Sequence, residues 1–61
     1  MNEIYVLMNG DAYDGYEVEG VYGTKAKAIE DYSEKSTYIS GHFRLQTWEL
    51  NGDCISDEFL D

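Results

Sequence analysis

The sequence has no proline, one cysteine and one histidine. A lone Cys54 excludes an intrachain disulfide, and one histidine with one cysteine does not make a zinc site. An unpaired thiol fits a reducing compartment, so a cytoplasmic location is expected. No apolar run reaches membrane-spanning length, and the N-terminus lacks the basic and long apolar regions of a signal peptide. Bases are also scarce: four Lys and Arg stand against thirteen Asp and Glu, for a net charge of −9. A balance this acidic disfavours nucleic acid and anionic membranes and suits a basic protein surface.

The charge is uneven along the chain. Residues 1–23 carry Glu3, Asp11, Asp14, Glu17 and Glu19 with no base, and residues 48–61 carry Glu49, Asp53, Asp57, Glu58 and Asp61 with no base. Lys25, Lys27, Lys35 and Arg44 all fall between, among Glu30, Asp31 and Glu34. Acidity that merely keeps a small domain soluble is the plain alternative to a binding role.

What is plentiful is aromatic bulk, with six tyrosines among 61 residues. A chain this short forms one domain, residues 1–61, and buries only about 60% of its unfolded surface. With no disulfide or metal to brace it, oligomerisation is the remaining remedy. The chain starts at Met1 and shows no linker or tail, so a self-contained protein is expected.

Residues 17–32 organise the rest. Tyr16, Val18, Val21 and Tyr22 favour a strand, and Gly20 among them points to a bulge or a close approach by the helix. Gly23 frees the backbone to turn, and Thr24 is a good N-cap for a helix over 24–36. Ala26, Ile29 and Ser33, with Ala28 and Tyr32 beside them, form a stripe at helical spacing.

Two further strands are read at 3–9 and 43–50. Ile4, Val6 and Met8 point one way and Tyr5 and Leu7 the other. Phe43, Leu45 and Thr47 share one face and Gln46, Trp48 and Leu50 the other. Apolar bulk on both faces marks inner strands. Asn9-Gly10 and Asp14-Gly15 are turn signals, which predicts a seven-residue connection with a projecting loop of Asp11, Tyr13 and Asp14. Asn51-Gly52 is the clearest hairpin signal. It sends residues 53–56 back as a short edge strand or an irregular tail, while Ile55 and Phe59, four apart, also suit one helical turn. The expected fold is therefore α+β, a small antiparallel sheet of three or four strands with one helix on one face.

Ile4-Tyr5-Val6-Leu7, Asp14-Gly15-Tyr16-Glu17, Gly20-Val21-Tyr22, Lys27-Ala28 and Thr47-Trp48-Glu49-Leu50 together resemble a group of very small phage and prophage proteins of unknown function. The resemblance covers most of residues 3–50; Ser36–His42 and the tail after Asp53 depart from it. It implies a phage-type accessory protein, acting in the host cytosol, with no catalytic residues.

No catalytic constellation stands out. His42, between Gly41 and Phe43, is read as structural or exposed. Cys54 lies near acids that raise a thiol pKa rather than activate it. Asn9, Asp11 and Tyr13 lack the further acidic ligands of a calcium loop. Tyrosine platforms for single strands need a basic groove, which four bases do not furnish. The chain is expected to be no enzyme, and to use no metal or cofactor. The expected function is binding inhibition of a host defence protein, in one version by occupying its basic nucleic-acid-binding surface. Contacts are expected from Asp11, Tyr13, Asp14, Glu17 and Glu19 and from Asp53, Asp57 and Glu58. A homodimer is expected, with Trp48 and Leu50 at its interface. Acids gathered on one surface favour the inhibitor; acids spread evenly favour the alternative, a dimeric structural or assembly module whose acidity serves solubility alone.

Overall fold

A computed structural model describes residues 2–60. Four strands and one helix follow in the order β1 (Glu3–Asp11), β2 (Gly15–Tyr22), α1 (Lys25–Lys35), β3 (His42–Glu49) and β4 (Cys54–Phe59). The strands form one antiparallel sheet in the order β2-β1-β3-β4, an α+β fold. The two strands read as apolar on both faces, β1 and β3, are the inner pair. No helix among the described residues is long and apolar enough to cross a membrane.

The core lies between sheet and helix. Leu7, Ala28, Phe43 and Leu45 are buried. Leu7 pairs with Leu45, and Asn9 with Phe43, so these side chains share the helix side of the inner strands. Ala28 offers no bulk, which lets α1 sit close to the sheet. One turn on, the Tyr32 ring meets Phe43 edge-on at 5.2 Å, and its hydroxyl donates to the Leu60 carbonyl at 3.2 Å.

The helix begins where its cap dictates. Thr24 is extended (φ −137°, ψ 150°), and its hydroxyl accepts from the Lys27 amide at 3.2 Å. The buried stripe keeps Ala28 and Tyr32 of the expected set but not its other members. Ala26, Ile29 and Ser33 are exposed, while Ala28, Asp31, Tyr32 and Lys35 turn inward. The polar pair on this stripe fixes the helix over β2. Asp31 accepts from the Tyr22 hydroxyl, and Lys35 reaches Asp31 at 3.1 Å and the Glu19 carbonyl at 2.9 Å. Burial and the hydrogen bond to Asp31 push the Tyr22 phenol up to about 12. The same phenol, together with Lys35, holds the Asp31 carboxyl below its usual range.

The β1–β2 connection is tighter than seven residues. Asn9 and Gly10 continue the strand, opposite Glu17 and Tyr16, and only residues 12–14 turn. Two local features explain this. The Asn9 side-chain amide donates to the carbonyls of Ser40 (3.1 Å) and His42 (3.2 Å), which keeps Asn9 on the sheet. Gly10 lies so close to the other strand that an added Cβ meets the Gly15 carbonyl oxygen at 1.9 Å. The turn itself falls at the second signal, where Gly15 takes φ +81°.

Gly20 marks a bulge, as its place in the strand implies. The β1–β2 register slips between Leu7 and Met8, which face Gly20 and Val18, leaving Glu19 as the extra residue. The Tyr22 ring lies over Gly20, where a Cβ meets its hydroxyl at 2.2 Å. The Asn51-Gly52 signal yields the β3–β4 hairpin, with Asn51 at φ 62°. The returning strand runs on to Phe59, three residues past the expected edge, and neither a tail nor a helical turn replaces it.

Candidate functional site

The chain topology separates the acidic segments. The inner strands β1 and β3 run in opposite directions, so the turns that follow them leave the sheet at opposite ends. Asp11, Tyr13 and Asp14 sit at one end beside Gly41 and His42, and Asp53 sits at the other, following Glu49. Asp53 thus lies at the end away from Asp11 and Asp14, while β4 carries Asp57 and Glu58 back beside Gln46 and Leu45.

The β1–β2 end is the more built of the two. Asp11 Oδ1 accepts from the backbone amides of Tyr13 (2.8 Å) and Asp14 (2.7 Å), an Asx turn that fixes the loop. Tyr13 projects fully, at 100% exposure. Beside it lies an open hollow of about 300 Å³, walled by Asp11, Asp14 and Glu17 with the backbone of Gly10, Ser40 and Gly41. Gly41, at φ +101°, lets the 40–41 segment close one side. Three of the residues lining this hollow, Asp11, Asp14 and Glu17, are acidic, and none of its lining residues is basic.

Three of the other expected contact acids, Glu19, Asp57 and Glu58, are engaged within the fold. Glu19 lies 3.9 Å from Lys35. Glu58 lies 3.3 Å from Lys25. Asp57 receives Arg44 in a two-point pair, with Nε donating to Oδ1 at 3.0 Å and the terminal Nη2 donating to Oδ2. Sequence order does not predict these pairings, because each joins residues from different elements.

The open side of the sheet, away from the helix, forms a second surface. Strand alternation and register place Ile4, Val6 and Met8 of β1, Tyr16, Val18 and Val21 of β2, Arg44, Gln46 and Trp48 of β3, and Asp57 and Phe59 of β4 on it. Val18 (58%), Val21 (60%) and Phe59 (63%) are strongly exposed. The Arg44 guanidinium is sandwiched between the rings of Tyr16 at 4.9 Å and Phe59 at 5.2 Å. The polar atoms continue as a chain: Gln46 Nε2 donates to Asp57 at 3.1 Å, and Trp48 Nε1 donates to Gln46 Oε1 at 3.0 Å.

Trp48 is half-buried on this open face, and Leu50 is exposed in the turn beyond β3, its amide donating to the Asn2 carbonyl at 2.8 Å. Val18, Val21 and Phe59 were not legible as surface residues. The one available signal is the break in alternation at Gly20, which puts both valines on one side. Cys54 is exposed at the start of β4. Among the described residues, no group of three or more His, Cys, Asp or Glu is arranged to hold a metal ion.

No family model, curated protein or solved structure matches this chain. The resemblance to small phage proteins therefore rests on the sequence pattern alone.

Proposed function

We propose that this chain is a binding protein, with no catalytic step of its own, that docks the acidic end of its first hairpin on a basic surface of another protein. The observation that carries this reading is the hollow lined by Asp11, Asp14 and Glu17, in the same turn that exposes Tyr13. A lysine or arginine of the partner enters the hollow while Tyr13 supplies contact area at low entropic cost. In the sharper form of this reading, the partner is a nucleic-acid-handling protein of a host defence system, and docking covers its basic channel. Glu19, Asp57 and Glu58 drop from the contact set, because the cations they already hold are on this chain.

A second reading is favoured by the placement of Asp53 at the far end of the sheet. Acids at both ends of the sheet serve solubility in an assembly module, with no acidic docking site.

Titration of isotope-labelled protein with an oligo-arginine peptide separates the two. Docking in the hollow concentrates amide shifts at residues 11–17 and 40–41, and the shifts weaken with salt and in the double variant Asp11→Asn, Asp14→Asn. Shifts spread equally over all acidic residues overturn the docking reading. Asparagine is the right replacement because its side-chain oxygen can still accept from Tyr13 and Asp14.

A further inference from the structure

We propose that the open face of the sheet is the docking surface for a second copy of this chain, giving a two-fold dimer centred on Met8, Val18, Val21, Trp48 and Phe59. This goes beyond the acidic hollow and does not depend on it.

Charge selects the occupant. The molecule carries −9 overall, yet the strands place a single carboxylate on the open face, Asp57, and it is paired there with Arg44. Two copies meeting through any acid-bearing side bring carboxylates against carboxylates. Meeting through the open face, they bring together surfaces whose charges already cancel. A basic partner gains nothing from this face, since it presents no unpaired anion. A two-fold contact needs one patch that complements itself, and a flat, neutral, apolar face does so.

The face is also ready to lose water. Four of its polar side chains are joined to one another, Arg44 to Asp57, Gln46 to Asp57 and Trp48 to Gln46. Covering them leaves none of these bonds to be made by the partner, and the two-point Arg44–Asp57 pairing offsets part of the cost of taking both charges out of water. Its size is adequate. The two longer dimensions of the molecule are 33 and 24 Å, which bounds the broad face at roughly 800 Å², the area each partner contributes to a standard interface. The need is plain too, because among the described residues only Leu7, Ala28, Phe43 and Leu45 are buried.

The test is sedimentation velocity of the whole chain at low and high salt. A species of twice 7.0 kDa is expected. It should strengthen with salt, because screening relieves the repulsion between two acidic copies while apolar burial persists. Binding of a basic partner at the hollow responds oppositely, so failure of one proposal is distinct from failure of the other. Val18→Lys and Val21→Lys each put a charge on the face while lowering the net negative charge. Both side chains are exposed in the monomer, so folding is retained and checked by circular dichroism. Each variant should raise the dimer dissociation constant by about tenfold or more. Tyr13→Ala, at the far hairpin tip, should leave it unchanged. A monomer at every salt concentration overturns the proposal. So does a dimer indifferent to both lysines, which places the contact at a sheet edge instead.

Discussion

Leu7 stands directly opposite Leu45 across the β1–β3 ladder, and both side chains are sealed from solvent under the helix. This pair is the centre of the core between the sheet and the helix. Leu45→Ala should cost about 2–5 kcal/mol. A chain of this length has only about 3–9 kcal/mol in total. Urea unfolding followed by circular dichroism should show a large fall in midpoint or no folded baseline. A midpoint close to the parent's contradicts the assignment of Leu45 to the core.

Gly10 decides whether the first hairpin is tight. A methyl group there meets the Gly15 carbonyl oxygen at 1.9 Å, and backbone on both sides prevents relief by side-chain rotation. Gly10→Ala should therefore open the end of the hairpin. Amide hydrogen exchange at residues 9–17 should accelerate strongly, while the β3–β4 hairpin changes little. Unchanged protection argues that Gly10 lies in a turn with room around it.

The Tyr22–Asp31 bond ties stability to pH at both extremes. The Tyr22 phenol is raised from 10.0 to about 12, so its stabilisation is complete below pH 10 and is lost as pH rises toward 12. The Asp31 carboxyl is lowered from 3.8, mainly by the Tyr22 hydrogen bond and then by Lys35. Its stabilisation is present above pH 3.8 and is lost as pH falls through the folded value. Tyr22→Phe removes the phenol and lets Asp31 return toward its ordinary value. The acid unfolding midpoint should move up, and ultraviolet titration should lose its latest-titrating phenol. If all six tyrosines of the parent titrate together near pH 10, the bond does not exist in solution.

Thr24 caps the helix through its hydroxyl. Thr24→Ala should cost about 1 kcal/mol, and Thr24→Ser much less, since serine keeps the acceptor. Thermal melts of the three proteins give the comparison. Equal losses for alanine and serine assign the effect to the methyl group rather than the cap.

Much of this fold is written locally. The alternation of Ile4–Met8 and Phe43–Thr47 set the two faces of the inner strands, because strand side chains alternate whatever the strand packs against. Thr24 set the helix start, and Asn51-Gly52 set the second hairpin, because caps and turns depend on a few adjacent residues. Asn9-Gly10 misled for the opposite reason. Its conformation is held by Ser40 and His42, more than thirty residues away. The helix stripe was likewise decided at a distance, by Tyr22 and Glu19 drawing Asp31 and Lys35 inward. Charge shows the same division. The sequence alone established how many acids there are and that they lie toward both ends of the chain. Only the folded chain determined that the two acidic turns point apart, that Asp57, Glu58 and Glu19 are matched by bases, and that one sheet face is left neutral. Electrostatic pairing acts through space, and the order of residues along a chain does not specify which of them the sheet brings within reach.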